Sequence, residues 1–371
     1  MTSEIICKHC VMDTSDRDIK FNSHGVCNHC NEFFKKQQGF SFTEEQEQRN
    51  LVELKNRLRA RKKGPYDCIL GVSGGVDSSY LAFLAMELDL NPLLMHFDNG
   101  WNSSIAVKNV RNIVQKTGFD LHTFVIDWAE FRDLQLSFIR AGVVDIEMIT
   151  DHAIFASMFK IRKKFGISSI LSGTNYLTEH GMPRSWSWQK LDIVNIRSIH
   201  NRWGAVKLKE YPTIPGSLWW EVATRYGFAG QFEEPLNLIN YRKEDAMGTL
   251  ARVFNWEYYG GKHYESIFTK FYQGYILPEK FNIDKRKMHL SAQVRIGEIT
   301  RDSAIDQLNE PLYRPNELRR DKVFFLKKLG LTEDEFKSIM AQEPVNHSQY
   351  STEMVYLKPI LKIAKIIRLK R

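Results

Sequence analysis

The sequence predicts an α/β fold built on a doubly wound, mostly parallel sheet, with a small cysteine-rich unit before it and a helical region after it. Three observations support this fold class. Apolar runs of strand length alternate with helix-periodic segments through the first half of the chain. Four cysteines precede that alternation, and the stretch from Asn240 onward is rich in helix formers and aromatic residues. We therefore predict three units, at residues 1–45, 46–235 and 236–371.

Composition limits the class of protein and of partner. The chain has 371 residues, more than one common domain, and 43% of them are hydrophobic, which allows a sizeable core. Lysine and arginine outnumber aspartate and glutamate by 52 to 44, and this excess favours an anionic partner such as nucleic acid, nucleotide sugar, ATP or anionic lipid. Because the sequence shows no apolar leader and no long uncharged apolar run, we expect a cytoplasmic protein.

Four of the five cysteines form two pairs with zinc-ribbon spacing, Cys7 with Cys10 and Cys27 with Cys30. Each pair can present two thiolates to one tetrahedral Zn²⁺ ion, and a closed shell of four thiolates is typical of a structural site. Disulfides are the alternative, but they are rare in the cytoplasm. His9 and His29 lie inside the pairs, and we expect them to be solvated because the thiolates already complete the shell.

The most informative segment is Ser73-Gly74-Gly75-Val76-Asp77-Ser78-Ser79. It follows an apolar run that contains Cys68, which we interpret as a small core residue, and it precedes the helix-periodic Leu81 and Leu84. A strand, glycine turn and helix in this order direct backbone N–H groups and a helix N-terminus at one point, which favours a bound phosphate. The segment has neither the Walker A ending nor the dinucleotide-binding glycine pattern. A plain glycine turn is the alternative interpretation.

Further strands and helices follow in alternation. We predict strands at 92–97, 121–126 and 168–171, and helices at 105–116 and 153–165. Polar segments follow two of these strands, at Asp98-Asn99-Gly100 and Ser172-Gly173-Thr174-Asn175. Ligands of open α/β sheets bind at the carboxyl ends of strands, so these segments are candidates for the same site as the glycine turn, although each alone resembles an ordinary turn.

The helical region contains two polar clusters. One runs from Asn255 to Glu265, and the other is Asp284-Lys285-Arg286-Lys287-Met288-His289, which suits either a bound diphosphate or a solvated charged face. Residues 356–371 combine apolar and basic side chains, which suits a helix at an anionic membrane surface or a partner-binding tail, but we favour a terminal helix packed on its own domain. Asp77 suits a helix cap or a magnesium ligand, and we expect Asp151 to be a cap.

The glycine turn resembles the PP-loop of the ATP pyrophosphatases, which split ATP into AMP and pyrophosphate. The resemblance implies that the turn holds the pyrophosphate end, that the α-phosphate activates a carbonyl oxygen, and that Mg²⁺ accompanies the ATP. It implies that the following residues bind ATP: Ser73, Gly74, Gly75, Asp77, Ser78, Ser79, Met95, His96, Asp98, Gly173 and Thr174.

Nearly the whole chain resembles one family of these enzymes, the N-acetyl sugar amidotransferases of bacterial surface polysaccharide biosynthesis. The matching segments are Cys7–Asp16, Gly25–Cys30, Ser73–Ser79, Gly261–Ser266, Asp284–Lys287 and His289–Ser291. The resemblance implies that an acetamido group becomes an acetamidino group through an adenylated intermediate that ammonia attacks. The closest type resembles the O-antigen enzyme of lipopolysaccharide assembly, whose substrate is a UDP-linked diacetamido uronic acid.

The same resemblance implies roles for residues and for partners. Lys262 would stabilise charge on the α-phosphate, His263 and Glu265 would form an acid/base pair, and phosphate or uronate contacts would come from Lys285, Arg286 and Lys287. The sequence has no glutaminase motif. Ammonia would therefore come from a glutaminase subunit, accompanied by a cyclase-like subunit, both similar to those of imidazole glycerol phosphate synthase.

Two other functions stay open. A tRNA-modifying enzyme of the lysidine-synthetase type fits the ribbon and the basic charge, although we expect no nucleic acid partner. A non-enzymatic adaptor that senses nucleotide is the second alternative.

Overall fold

The computed structural model describes residues 5–219, 230–261 and 264–357. Its centre is a sheet of five strands in the order β3-β2-β1-β4-β5, and each neighbouring pair is parallel. The strands are β1 (Cys68–Gly71), β2 (Pro92–Asp98), β3 (Leu121–Val125), β4 (Ser169–Leu171) and β5 (Gln231–Glu233). The chain progresses outward from β1 in one direction and then returns to β1's other side. This order confirms the doubly wound sheet that the sequence predicts.

The cysteine-rich unit precedes the sheet. Its segments are joined by two short antiparallel bridges, Ile6 with Asp13 and Phe21 with Cys27. Gly25, with φ of +75°, lies in the turn between Phe21 and Cys27. Helix α1 (Asn28–Lys36) follows directly, and α2 (Glu44–Ala60) begins after Thr43, whose side chain forms a capping box with Gln46. The predicted unit boundary at residue 45 falls in the first turn of α2 and stays a prediction, as does the boundary at residue 235.

Within the described residues up to Trp203, six further helices accompany the sheet: α3 (Val76–Glu87), α4 (Ser104–Thr117), α5 (Trp128–Ala141), α6 (Met148–Lys164), α7 (Tyr176–Glu179) and α8 (Ile193–Trp203). The sequence analysis predicted neither α5 nor α8, and it placed the start of α6 five residues too late. In α5, ten of the fourteen residues are buried, including Glu130 and Asp133. Tertiary contacts therefore bury polar side chains of this helix as well as apolar ones.

The C-terminal region is helical, as predicted, and packs on the carboxyl ends of the strands. Its helices are α9 (Lys243–Phe254), α10 (Ile267–Phe271), α11 (Leu277–Phe281), α12 (Arg286–Arg295), α13 (Arg301–Asn309), α14 (Pro315–Leu329) and α15 (Glu333–Ala341). A π-helical turn, Tyr272–Ile276, joins α10 to α11. Trp101, in the loop after β2, packs against Phe268 and Phe325 of this region. The C-terminal helices therefore cover the sheet edge where ligands of such folds bind.

No helix in the described part of the chain is both long and apolar enough to cross a membrane. Of the basic tail that the sequence predicts, only Tyr356 and Leu357 lie within the described residues.

Candidate functional site

The predicted phosphate loop connects β1 to α3 in a conformation that only glycine accommodates. Gly74 has φ of +81°, and a Cβ there would overlap the backbone of Ala106. The Gly74 carbonyl accepts hydrogen bonds from Trp256 Nε1 at 2.9 Å and Asn109 Nδ2 at 3.2 Å. The loop is therefore held from outside by α4 and by the segment after α9.

The serines of the loop have different positions. Ser73 Oγ accepts from the Gly75 N–H at 3.2 Å and lies 3.2 Å from Ser78 Oγ, so both hydroxyls stay at the loop. Gly75 is the N-cap of α3, whose positive dipole end therefore faces the same point. Ser79 is fully buried behind the loop, whereas Ser73 and Ser78 are partly exposed. Ser73 and Ser78 are thus better placed for a phosphate than Ser79.

Two tyrosines of the C-terminal half contact the beginning of α3. Tyr241 donates a hydrogen bond of 2.5 Å to Asp77 Oδ1, and the Val76 N–H donates to Tyr259 Oη at 3.4 Å. Burial, together with the charge of Asp77, raises the pKa of Tyr241, so its phenol stays a neutral donor. Asp77 is consequently fixed in the first turn of α3, where it suits the predicted magnesium ligand.

A cavity of about 540 Å³, here called the strand-end cavity, lies at the carboxyl ends of β1, β2 and β4. This position is the switch point between β1 and β4, where ligands bind in doubly wound sheets. Five predicted site residues line it: Ser73, Met95, Gly173, Glu265 and Lys285. Asp98 and Thr174 do not line it: Asp98 accepts from the Gly100 N–H at 2.9 Å, and Thr174 Oγ1 bonds to Ser172 Oγ at 2.9 Å. The other predicted ATP-binding residues are also absent from its lining: Gly74, Gly75, Asp77, Ser78, Ser79 and His96.

A larger cavity of about 830 Å³, the helical cavity, lies between the loop and the C-terminal helices. Tyr258, Tyr259 and Tyr264 line it, as do five carboxylates and these six cations: Lys243, Lys270, Lys285, Arg286, Arg314 and Arg320. Gln273 and Lys285 line both cavities. The two spaces therefore meet at these side chains.

The predicted cation triplet divides into three separate environments. Lys285 lines both cavities, and within the described residues its ammonium forms no hydrogen bond or ion pair. Arg286 donates to Asp284 and to the carbonyls of Gln307, Leu308 and Glu310, and so holds the end of α13. Lys287 is paired with the buried Asp13. The structure therefore leaves Lys285 as the member of the triplet best placed to meet a ligand.

The sequence analysis missed a network of charges at the strand-end cavity. Lys190 Nζ lies 2.7 Å from Asp145 Oδ2 and 3.0 Å from Asp151 Oδ2. Burial opposes the charge of Lys190, but the two carboxylates outweigh it and raise its pKa. Asp151 is thus part of an ion-pair network. The expectation that Asp151 is a helix cap is wrong, because the N-cap residue of α6 is Glu147. No local spacing connects these residues, so a sequence pattern could not have revealed the network.

Glu147 and Lys285 differ from Lys190, because burial shifts the pKa of each in the direction that favours its neutral form. Burial raises the pKa of Glu147, and the charge of Lys285 and a hydrogen bond from Thr269 oppose the rise only partly. Burial likewise lowers the pKa of Lys285, against the opposing influence of Glu147 and Asp145. A carboxyl with a raised pKa beside an amine with a lowered pKa is typical of proton transfer sites.

The four predicted zinc ligands lie together. Their Sγ atoms are all within 4.8 Å of one another and fully buried. Cys7 Sγ accepts hydrogen bonds from the backbone N–H groups of His9, Cys10 and Cys27 at 3.3 to 3.5 Å. Such N–H donors stabilise thiolates, and contacts with Cys27 and Cys30 lower the pKa of Cys10 to about 7. The donor set therefore fits one structural Zn²⁺ ion, which would tie the two pairs together.

The expectation that the two histidines of the ribbon are solvated is wrong. His29 is buried and its Nε2 lies 2.8 Å from Asp16 Oδ2, while the His9 ring packs edge-on against Phe34. Asp16 also accepts from Ser185 Oγ at 2.9 Å. His29 is buried and His9 is partly buried because they pack against other side chains, which a count of ligands does not predict.

Of the three predicted catalytic residues, the structure describes only Glu265. Lys262 and His263 lie outside the described residues. Glu265 lines the strand-end cavity, and its Oε1 lies 3.3 Å from the position that a Cβ on Gly75 would occupy. Glu265 is therefore beside the phosphate loop.

Comparison with known families identifies the region that supplies Glu265, Gln273 and Lys285. Residues 265–365 match the family model "LPS biosynthesis protein WbpG-like, C-terminal domain". This region is similar to that domain, and we call it the WbpG-like region. The match agrees with the family that the sequence motifs resemble, and no protein with a curated description matches the chain at a significant level. The WbpG-like region begins at the strand-end cavity and contributes one side of the helical cavity.

Two solved structures are among those similar to the chain. An NMN synthetase from Francisella tularensis is 13% identical, with 79% of this chain and 98% of that chain covered and a TM-score of 0.37. An NH3-dependent NAD synthetase from Campylobacter jejuni subsp. jejuni NCTC 11168, in complex with nitrate, is 13% identical, with 71% and 97% covered and a TM-score of 0.33.

Proposed function

We propose that the protein is an ATP-dependent amidotransferase that converts an acetamido group of a UDP-linked diacetamido uronic acid to an acetamidino group. One observation carries the proposal. A cavity beside the glycine loop and a cavity lined by the WbpG-like region meet at Gln273 and Lys285. A nucleotide in the first and a sugar in the second would bring the α-phosphate and an acetamido oxygen together there.

The loop side supplies what ATP needs. The Gly75 end of α3 would receive the pyrophosphate end, and Asp77 would hold Mg²⁺, whose charge neutralises the phosphates. Met95, 1% exposed, would contact the nucleoside through its apolar side chain. Lys262 stays our candidate for the charge that develops on the α-phosphate.

The helical cavity supplies what a charged nucleotide sugar needs. Its cations suit a diphosphate and a uronate, and its tyrosines suit the flat faces of a base or a sugar. The WbpG-like match supports a role in lipopolysaccharide assembly. A reaction that uses ATP and a nucleotide sugar is a cytoplasmic one.

The proposed chemistry has two stages. The amide oxygen attacks the α-phosphate, pyrophosphate leaves, and the resulting O-adenylyl imidate is a far better electrophile than the amide. Ammonia then attacks the imidate carbon and AMP leaves. Because water would compete with ammonia, the second stage requires a covered site, and the C-terminal helices supply the cover. A glutaminase and a cyclase-like subunit would deliver the ammonia.

The test incubates the purified chain with ATP, magnesium, an ammonium salt at mildly alkaline pH and a UDP-diacetamido uronic acid. We expect one AMP and one pyrophosphate for each sugar in which NH replaces an oxygen atom, measured by mass spectrometry. Salt-sensitive tRNA binding with tRNA-dependent pyrophosphate release would instead support the lysidine-synthetase alternative. ATP binding without pyrophosphate release under every substrate would support the adaptor.

A further inference from the structure

The carboxylate of Glu147 lies where the two cavities meet. Glu147 precedes α6 and lines the strand-end cavity. Gln273, which lines both cavities, donates to Glu147 Oε2 at 3.4 Å, and Thr269 Oγ1 donates to Oε1. Both donors belong to the WbpG-like region, so the half of the site that would hold the sugar also orients this carboxylate.

We propose that Glu147 accepts the proton that the attacking nitrogen loses after ammonia has added to the adenylated intermediate. The inference rests on the proposed function and gives that reaction its proton acceptor. The sequence-based candidates for this role were Glu265 and His263. Glu265 lies against the phosphate loop beside Gly75, a position that suits the pyrophosphate end and its metal ion.

The step balances in atoms and charge. The ammonia lone pair forms a bond to the carbon of the imidate, whose nitrogen keeps the amide proton, and the π pair of the carbon–nitrogen double bond moves onto that nitrogen. The product is a tetrahedral carbon that carries an ammonium group, the original nitrogen and the oxygen of AMP. One N–H proton passes to the Glu147 carboxylate. The bond between carbon and the AMP oxygen then breaks, AMP takes the electron pair, and the nitrogen lone pair forms the amidine. No oxidant and no further reactant take part.

The charges around Glu147 suit a proton that is accepted and later released. Lys285 and Lys190 favour the carboxylate form, Asp151 opposes it, and the hydrogen bond from Thr269 stabilises it. Lys285 also lies close enough to the meeting point to attract the phosphate of the leaving AMP. A base with a raised pKa is more effective near neutral pH than an ordinary exposed carboxylate.

The decisive variant is Glu147→Gln, which keeps the shape of the side chain and removes the basic oxygen. We expect formation of the amidine to fall by about 10² to 10⁴-fold. Adenylation precedes the proton transfer, so exchange of labelled pyrophosphate into ATP, measured with sugar and without ammonium, should stay within about twofold of the wild type. The exposed Glu343, which lines neither cavity, provides the matched control Glu343→Gln, with unchanged rates expected.

A change of nucleophile adds a readout that a structural role would not move. Hydroxylamine forms an adduct whose nitrogen is more acidic than that of ammonia, so it depends less on a base. The deficit of Glu147→Gln relative to the wild type should therefore be smaller with hydroxylamine. An equal deficit with both nucleophiles, or parallel loss of pyrophosphate exchange, overturns the assignment of Glu147.

Thr269→Val tests the same role without removing the carboxylate. Loss of the hydrogen bond should raise the pKa of Glu147, so the acidic limb of the kcat profile at saturating ammonium should move to higher pH. An unmoved limb contradicts the inference even if Glu147→Gln fails to fold.

The outcomes separate the two proposals. A wild-type chain that makes amidine, beside a fully active Glu147→Gln variant, leaves the proposed function intact and removes Glu147. A wild-type chain that neither exchanges pyrophosphate nor makes amidine with any acetamido sugar removes both.

Discussion

The cysteine cluster and the two-cavity site are built in opposite ways. The cluster takes its four donors from the short segment between Cys7 and Cys30, where turns and backbone N–H groups already bring the sulfurs together. The two-cavity site collects its side chains from Gly71 to Arg320, and neighbours in sequence there have unrelated positions. Residue spacing therefore predicts a site only when the chain between the residues is short enough to fix their geometry.

The largest expected effect concerns the cluster. Cys10→Ser should abolish stoichiometric zinc binding and unfold the ribbon, because a structural zinc site contributes about 10 to 16 kcal/mol in isolated ribbons and fingers. Metal analysis and thermal unfolding measure both effects. Cys68→Ala is the matched control, since Cys68 is buried in β1 away from the cluster, and it should keep its zinc. Equal zinc loss in both variants would contradict the assignment of the ligands.

The second prediction compares two cations of one triplet. Lys287→Met leaves Asp13, 1% exposed, without its ion pair, and should cost about 3 to 5 kcal/mol of unfolding free energy. Lys285→Met removes an ammonium whose charge burial disfavours, so stability should not fall, whereas turnover should fall by about 10² to 10³-fold. Urea unfolding and pyrophosphate release measure the two quantities. If both variants lower stability, or both lower turnover, the assignment of different roles to Lys285 and Lys287 is wrong.

The third prediction concerns acid. His152 and His347 are buried; each donates through Nδ1 to an oxygen and accepts at Nε2 from a backbone N–H group. Burial lowers the pKa of both to about 4. The unfolded chain therefore binds more protons between about pH 6.5 and 4, and stability should fall across that range by up to about 3 kcal/mol per histidine.

Urea unfolding at pH 7 and pH 5 checks this sign. His347→Asn should reduce the loss between the two pH values, whereas His24→Asn, at an exposed position, should not. Because His347 contacts the N–H of Asp145 and His152 contacts the carbonyl of Lys190, the acid-sensitive groups support the two-cavity site. A loss of stability that both variants retain in full would exclude His347 as its source.

The smallest expected change in stability concerns the loop. Gly74→Ala puts a side chain on a residue with a left-handed backbone conformation, which costs about 1 to 2 kcal/mol. The new Cβ would also meet the backbone of Ala106 in α4. ATP affinity should fall at least about tenfold because the loop must move, and equilibrium binding measures it. Gly39→Ala, with open space around its Cβ, should bind ATP normally. Normal binding by Gly74→Ala would contradict the phosphate loop.

The prediction of the fold succeeded where periodicity was visible. The strands β1 to β4 and the glycine loop follow from apolar runs and turn residues, and the order of the strands confirms the doubly wound sheet. Helix α5 was missed although its apolar side chains have helical spacing, and tertiary contacts bury most of its polar side chains as well. The expectation that His29 is solvated was wrong because packing within the ribbon brings its ring against the carboxylate of Asp16.

The sequence by itself determined the cysteine donor set and the strand, loop and helix that would receive a phosphate, because those residues are adjacent in the chain and local geometry orients them. Only the tertiary structure decided that Lys285 reaches the meeting point of the two cavities while Lys287 holds Asp13. The hydrogen bonds from Thr269 and Gln273 to Glu147 also depend on the tertiary structure. Such contacts depend on how distant segments pack, and one helical residue's rotation is enough to exchange a ligand site for a buried ion pair.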